Sequence, residues 1–216
     1  MTLNAHIIEP AGSHQSSIIF LHGLGADGKD FAPVAEQLKL LETRFIFPHA
    51  PVRPITINNG YAMRGWYDIV TLDRDNFIHD VPGVEASSAF VHGLVEAEHQ
   101  KGIAYDRIVL AGFSQGGAIA LFAGLSFTQP LAGILALSTY VPAPEVLAER
   151  CTKTPLNIMM THGLMDDVIP LSSAELSVQW LEKMGQRPHF KTYPMAHSVC
   201  APEIMDIEAW LKGVLI

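Results

Sequence analysis

Short runs of apolar residues rich in Ile, Val and Phe alternate along the chain with longer stretches that have helical spacing. The short runs predict strands at residues 17–22, 45–48, 108–113, 134–138, 158–162 and 190–194. The longer stretches predict helices at residues 31–41, 84–100, 116–127, 171–184 and 202–215. Alternating strands and helices require crossover connections. The pattern therefore predicts an α/β fold with a mostly parallel, twisted sheet and helices on both faces.

One segment, residues 52–82, interrupts this alternation. Connections in α/β units usually take about 2–6 residues, and longer ones tend to be functional or disordered. The segment contains Tyr61, Trp66, Tyr67 and Phe77, too many aromatic residues for a disordered linker. It is either an ordered excursion with a small core of its own or a wall of a binding site, and the two interpretations are compatible. The substrate-contact hypothesis names Ile57, Met63, Trp66 and Tyr67.

Length and composition narrow the class of protein. With 216 residues, no composition break and 49% apolar residues, the chain predicts one domain over residues 1–216. A net charge of −8 argues against nucleic acid or an anionic membrane as the main partner. No signal peptide and no stretch of the ~20 apolar residues that a transmembrane helix needs is present, so we expect a cytoplasmic protein without stable membrane insertion. The sequence leaves a homodimer open.

A candidate nucleophile lies where a predicted strand meets a predicted helix. Gly112-Phe113-Ser114-Gln115-Gly116 fits G-x-S-x-G, the nucleophile elbow, in which a sharp turn lifts the serine above the sheet. Residues two before and two after the serine crowd each other in this turn, which explains the paired glycines. The alternative is a serine that only caps the helix. The position between strand and helix favours Ser114 as a nucleophile.

A serine nucleophile needs a histidine base and an acid, which follow it along the chain in the order acid, then histidine. His162 precedes the candidate acids, and His189 is expected at the surface. His197 follows the last predicted strand, where catalytic side chains of parallel sheets cluster, and is the predicted base. Asp166 and Asp167 both follow the preceding strand, and spacing does not choose between them.

The loop of residues 23–28 matches G-x-G-x-x-G directly after the first predicted strand. That pattern is also found in nucleotide-dependent oxidoreductases, but no carboxylate follows the next strand to bind a ribose. We favour a loop that contributes a backbone N–H to an oxyanion hole, with the N–H of Gln115 as the second donor. His22 is then a structural hydrogen-bonding residue. The histidines show no metal-binding spacing, and we expect no metal and no cofactor.

Five segments together resemble the acyl-protein thioesterase and carboxylesterase family of α/β-hydrolases. They are LHGLGADGKDF, MRGWYDI, AGFSQGGAIAL, HGLMDDVIP and the segment that begins at His197, and the resemblance runs from about Ile18 to the end of the chain. The resemblance implies Ser114 as nucleophile, Asp166 as acid and His197 as base. It also implies Leu24 and Gln115 as the oxyanion donors.

The same resemblance implies a serine hydrolase without a cofactor that cleaves carboxylic esters or thioesters. Its substrates would range from short esters to lipid-like chains or acylated proteins. Two departures stand out: Ala196 occupies a position that is usually glycine, and Asp167 adds a second carboxylate beside the acid. The rival hypotheses are an oxidoreductase that uses the 23–28 loop and a binding protein that has kept the fold without turnover.

Overall fold

The computed structural model of the chain describes residues 4–71 and 80–215. In chain order its strands are β1 (Ala5–Ile8), β2 (Ser16–Leu21), β3 (Thr43–Pro48), β4 (Val52–Ile55), β5 (Tyr61–Arg64), β6 (Ile108–Phe113), β7 (Gly133–Leu137), β8 (Ile158–Gly163) and β9 (His189–Tyr193). Seven of them form one sheet in the order β1-β3-β2-β6-β7-β8-β9. All neighbours are parallel except the edge strand β1, which is antiparallel to β3.

The helices are α1 (Ala32–Gln37), α2 (Val81–Gln100), α3 (Gln115–Ser126), α4 (Pro144–Ala148), α5 (Leu171–Lys183) and α6 (Ala201–Val214). Two apolar clusters cover the two faces of the sheet. One joins α2, α3 and α5 to the sheet, and the other joins α1 and α6 to the opposite face. The predicted α/β architecture is confirmed. Among the helices in the described part of the chain, none is both long and apolar enough to span a membrane.

The central strands β2, β7 and β8 are buried along their whole length, as a sheet covered on both faces requires. Their carboxyl ends lie at one edge, where the loops after β2, β6, β8 and β9 meet. The catalytic residues predicted from the sequence lie at or after the ends of these strands. The sheet therefore brings together segments that are far apart in the sequence.

The excursion after β3 begins with the antiparallel hairpin β4–β5. Its tip contains the short 3₁₀ turn Thr56–Asn58, and Asn59 and Gly60 follow with positive φ angles of 54° and 73°. The hairpin is ordered, as one of the two interpretations of the segment expected. Residues 72–79 of the predicted excursion, including Phe77, lie outside the described residues. The prediction of a single domain stays a prediction.

Candidate active site

Ser114 lies at a strained turn between β6 and α3. Its φ of 55° and ψ of −122° are unusual for a residue with a side chain, and such strain is concentrated at functional sites. Its N–H donates to the Leu137 carbonyl at 2.8 Å, and the Thr139 hydroxyl donates to its carbonyl at 2.7 Å. These two bonds fix the peptide groups before and after the strained residue Ser114. The Ser114 side chain makes no capping hydrogen bond with α3, so the helix-cap interpretation is wrong.

The glycines of the turn are required by close backbone contacts. A Cβ on Gly112 would overlap the backbone of Gly116, and a Cβ on Gly116 would overlap the Leu21 carbonyl in the neighbouring strand. No side chain fits at either position without a backbone shift. The crowding inferred from the G-x-S-x-G pattern is therefore present in the structure.

Asp166 and His197 form a hydrogen-bonded pair at the same edge of the sheet. His197 Nδ1 lies 2.7 Å from Asp166 Oδ2, and the carboxylate side chain is fully buried. Because an ionised carboxylate only accepts, Nδ1 carries the proton, and the neutral ring keeps Nε2 unprotonated. The His197 ring also packs on Phe113, the residue before Ser114, with 4.7 Å between centroids. Asp167 is exposed.

The loops that carry this pair are joined by backbone hydrogen bonds. The N–H of Leu164 donates to the Tyr193 carbonyl at 2.8 Å, and the N–H of Met165 donates to the Met195 carbonyl at 3.0 Å. Asp166 Oδ1 accepts the N–H groups of Val168 and Ile169 at 3.0 and 2.8 Å, which closes its own turn. The Asp166–His197 distance is therefore fixed by the backbone as well as by the two side chains.

The departure at position 196 has little effect on this geometry. Ala196 does not adopt a positive φ, so the turn before His197 does not need a glycine. Its carbonyl accepts the N–H of Ser198 at 2.9 Å. Alanine is compatible with this conformation.

The glycine-rich loop lies beside Ser114. A Cβ on Gly23 would lie 3.5 Å from the Ser114 Cβ, and the Gly25 N–H donates to the Arg64 carbonyl at 2.8 Å. His49 Nδ1 accepts the Gly28 N–H at 2.9 Å, a contact that the sequence did not reveal. The loop is therefore held at several points close to the candidate nucleophile.

His22 sits beneath this loop and, as predicted, makes structural hydrogen bonds. Its Nε2 accepts the Ala50 N–H at 3.0 Å, so in the neutral ring Nδ1 is the donor to the Gly23 carbonyl at 2.7 Å. Burial lowers the pKa of the His22 imidazole below its ordinary value. The Gly23 carbonyl belongs to the same peptide group as the Leu24 N–H, so this bond orients the predicted oxyanion donor.

Trp66 and Tyr67 are placed differently from the sequence hypothesis. Their side chains are 1% and 2% exposed, and both belong to the apolar core. The Trp66 indole N–H donates to the His22 carbonyl at 2.9 Å, and the Tyr67 hydroxyl pairs with that of Tyr140 at 2.8 Å. A packed core position argues against the proposed acyl contact of these two residues. We correct that assignment: they hold the excursion against the sheet.

The Gln115 side chain links the segment of Trp66 and Tyr67 to the start of α3 by two hydrogen bonds. Its Oε1 accepts the Trp66 N–H and its Nε2 donates to the Tyr67 carbonyl, each at 2.8 Å. Because Gln115 is the first residue of α3, its own N–H has no partner within the helix. The sequence identified the backbone of Gln115 as important but missed the role of its side chain.

Apolar side chains at the surface flank these groups. Met63 of β5 lies near Gly25 of the glycine-rich loop, and Ile57 at the hairpin tip is 40% exposed. Leu164, Met165 and Val168, in the loop of Asp166, are 52%, 61% and 47% exposed. We call these last three residues the acid-loop rim. Within residues 4–71 and 80–215, no group of His, Cys, Asp and Glu is arranged to hold a metal ion.

Comparisons with known proteins identify the family to which this chain belongs. The model of the phospholipase/carboxylesterase family matches residues 3–215. The chain belongs to the phospholipase/carboxylesterase family. The predicted relationship, the α/β-hydrolase fold and the class of carboxylic-ester hydrolase are thereby confirmed.

Individual relatives of this chain have names that are more specific than that of the family. Acyl-protein thioesterase 1 of Gibberella zeae is 40% identical over 225 residues, which cover 98% of this chain and 96% of the relative. The crystal structure of Arabidopsis thaliana SOBER1 superposes with a TM-score of 0.89 at 30% identity, over 94% of this chain and 100% of that one. Zea mays acyl-protein thioesterase 2 also gives a TM-score of 0.89, at 27% identity over 98% and 99% of the two chains. None of these findings supports the oxidoreductase hypothesis.

Proposed function

We propose that this chain hydrolyses acyl thioesters and esters of acylated proteins or lipid-like molecules through an acyl-enzyme on Ser114. The main support is the buried Asp166–His197 pair, with 2.7 Å between Oδ2 and Nδ1, next to the strained Ser114 turn. The pair leaves His197 Nε2 as the basic nitrogen. A base in this tautomer is what a serine nucleophile requires.

In the proposed reaction, Ser114 Oγ attacks the acyl carbonyl carbon while His197 Nε2 takes the hydroxyl proton. The tetrahedral intermediate collapses, the bond from carbon to sulfur or oxygen breaks, and His197 gives the proton to the leaving thiol or alcohol. Water then attacks the acyl-enzyme with His197 as base, which releases a carboxylic acid and restores Ser114. Asp166 keeps the imidazole oriented and stabilises its positive charge.

The backbone N–H groups of Leu24 and Gln115 are the proposed oxyanion donors. Gln115 opens α3, and helix N-termini carry N–H groups without intrahelical partners and a favourable dipole. The Leu24 peptide is oriented by His22 through the Gly23 carbonyl at 2.7 Å. Donors fixed before the reaction stabilise the developing oxyanion without reorganisation.

The names of the relatives and the apolar surface at the site both support a lipophilic acyl group. Two of the relatives are named acyl-protein thioesterases. On this chain the acid-loop rim presents three exposed apolar side chains beside Asp166. Met63 and Ile57 on the hairpin remain proposed acyl contacts.

The direct test uses Ser114→Ala with Ser126→Ala as its matched control. Ser126 is also a serine of the α3 region, but its hydroxyl donates to the Phe122 carbonyl at the far end of the helix. Purified proteins are incubated with a fluorophosphonate probe, an S-palmitoylated peptide and p-nitrophenyl esters. We expect Ser114→Ala to lose labelling and both hydrolytic activities by about 10⁴-fold or more, with its melting temperature nearly unchanged. Ser126→Ala should keep all three activities.

Two outcomes would contradict the proposal. Labelling of Ser114→Ala at the wild-type rate would place the nucleophile elsewhere. Wild-type protein that neither reacts with the probe nor cleaves any of the esters would favour the binding-protein hypothesis. Hydrolysis of p-nitrophenyl esters but not of the thioester peptide would retain the mechanism and overturn the acyl-protein substrate.

A further inference from the structure

A buried histidine that the proposed reaction does not use lies directly below the candidate acid. His162 is the penultimate residue of the strand β8, four residues before Asp166, and its side chain is 0% exposed. Its Nε2 lies 2.8 Å from the Ile169 carbonyl oxygen and 3.4 Å from Asp166 Oδ2. Chain order argued against His162 as a base, but its position brings it into contact with the acid.

The neighbours of His162 determine which nitrogen carries its proton. A carbonyl oxygen can only accept a hydrogen bond, so the contact with Ile169 requires a proton on Nε2. The same N–H also faces the Asp166 carboxylate. Nδ1 is buried and has no hydrogen-bond partner among residues 4–71 and 80–215.

Burying the unpaired Nδ1 of His162 lowers the stability of the folded protein. An unpaired buried nitrogen loses its hydration without compensation, and an apolar side chain of similar size would avoid that loss. Leucine could fill the same space, but it could neither donate to the Ile169 carbonyl nor place an N–H group 3.4 Å from Asp166 Oδ2. The property that distinguishes His162 from an apolar residue here is therefore its Nε2–H group.

The N–H acts at the point where the Asp166 turn closes. Ile169 donates its N–H to Asp166 Oδ1 at 2.8 Å, while its carbonyl accepts from His162 at 2.8 Å. Oδ2 then lies between two imidazole N–H groups, that of His197 at 2.7 Å and that of His162 at 3.4 Å. Oδ1 thus accepts two backbone N–H groups and Oδ2 faces two imidazole rings, which restricts rotation of the carboxylate.

We propose that His162 is a positioning residue whose Nε2–H keeps the Asp166 carboxylate in the orientation that accepts the hydrogen bond from His197 Nδ1–H. It acts on the reaction only through Asp166 and touches no substrate. The inference rests on the proposed function, since it requires Asp166 to orient His197. A purely structural role in packing the end of β8 is the alternative.

The first experiment compares His162→Leu with His162→Gln. Leucine keeps most of the volume and removes the donor, whereas the glutamine amide can place an N–H near the position of Nε2. Small displacements of catalytic groups can cost about 10²-fold, so we expect His162→Leu to lower kcat on a p-nitrophenyl ester by about 10–100-fold. KM should remain within about twofold, because uniform substrate binding is untouched. His162→Gln should recover most of kcat.

His92→Leu is the matched control. His92 Nε2 also lies 2.8 Å from a backbone carbonyl, that of Ala123, but on the helix layer between α2 and α3. We expect the control to leave kcat unchanged even where it lowers the melting temperature. Equal losses of kcat in His162→Leu and His92→Leu would show a general effect of destabilisation and would overturn the proposal.

The decisive experiment repeats His162→Leu in an Asp166→Asn background. If His162 acts only through Asp166, its substitution should have almost no further effect once Asp166 has been replaced. The additional loss of kcat should therefore fall below about twofold. An undiminished loss in that background would show that His162 acts by another route. If Asp166→Asn alone has wild-type activity, the proposed function fails instead, which separates the two hypotheses.

A measurement on the wild-type protein covers the case in which the variants do not fold. Nitrogen-15 NMR of histidine-labelled protein distinguishes the two neutral tautomers of each ring. The proposal requires His162 to carry its proton on Nε2. A proton on Nδ1 alone would leave no N–H group facing Asp166 Oδ2 and would overturn the inference.

Discussion

Two adjacent carboxylates, Asp166 and Asp167, differ sharply in their surroundings. The Asp166 side chain is fully buried and bonded to His197, whereas Asp167 is exposed. We predict that Asp166→Asn lowers kcat by about 10⁴-fold, because the amide favours the wrong imidazole tautomer. Asp167→Asn should change kcat less than about threefold, since exposed charges interact weakly through water. Steady-state kinetics on one ester checks both. Similar losses in the two variants would contradict the assignment of the acid.

His22 gives a second prediction at the scale of a residue, on stability rather than rate. Burial is the largest cause of its lowered pKa. The hydrogen bond to the Gly23 carbonyl and the charge of Asp27 act in the opposite direction, whereas His49 and Arg64 lower the pKa further. Below the ordinary value of 6.5 the unfolded chain takes up a proton at this position that the folded protein resists. The free energy of unfolding should therefore fall as the pH drops from 6.5 towards the lowered folded pKa.

Urea denaturation between about pH 5 and 7.5 checks this dependence. His22→Gln removes the titrating group, so we expect a flatter pH profile than that of the wild type, from a lower starting stability. Other titrating groups, including Glu203, whose pKa is raised by burial, are the same in both proteins and cancel in the comparison. Parallel profiles for the two proteins would show that His22 does not titrate differently on folding.

Among the structural elements, the β4–β5 hairpin is followed by Trp66, one of the two buried aromatic residues that hold the excursion against the sheet. The Trp66 ring is buried, and its backbone carbonyl accepts the Ser87 hydroxyl of α2. Removal of such a side chain costs about 3–5 kcal/mol. We predict that Trp66→Ala lowers the free energy of unfolding by this amount and reduces kcat/KM on all acyl-chain lengths by a similar factor. Denaturant titration and an ester series measure the two effects. A loss confined to long chains would restore Trp66 to the acyl site.

The sequence predicted some elements better than others, for physical reasons. β6 and α3 were predicted within one residue of their bounds because a buried strand and a small-residue helix meet at a turn with a clear glycine signal. β1 was missed because its four residues are only half-buried and lie on the antiparallel edge of the sheet. β4 was missed because Pro54 interrupts its pattern, and proline inside a strand is confined to edge strands, where its missing N–H is not needed for pairing.

For the whole molecule, chain order and sheet topology sufficed to name the candidate serine and histidine, but not every contact around them. Parallel strands carry their carboxyl ends to one edge, so residues 114, 166 and 197 could be expected near each other. The contact of His162 with Asp166 could not be foreseen, because a histidine at the end of a buried strand gives no sequence signal for its partner. Trp66 was misassigned since an aromatic residue in a long loop looks the same whether it packs inward or lines a groove.

The acid-loop rim leads to a prediction on acyl-chain length. Its three apolar residues lie in a loop whose backbone is hydrogen-bonded to the loop of His197, so the rim is held beside the proposed reaction centre. Each CH₂ group of an acyl chain that leaves water gains about 0.8 kcal/mol, close to fourfold in kcat/KM. We predict that kcat/KM rises over several carbons of a p-nitrophenyl ester series and then levels off.

The rim itself is tested with the double variant Leu164→Ser and Met165→Ser, measured across the same series. It should flatten the rise with chain length and leave the acetate ester within about threefold of wild type, because only the buried area of longer chains is lost. The matched control is the pair Leu176→Ser and Met205→Ser, two residues of α5 and α6 that are 60% and 71% exposed. The control removes similar exposed apolar surface away from Asp166 and should keep the wild-type slope. An unchanged slope in the rim variant would exclude the rim from the acyl site and leave Met63 and Ile57 as the candidates. Equal flattening in both variants would show that loss of any exposed apolar side chains has this effect, and would likewise contradict a specific role of the rim.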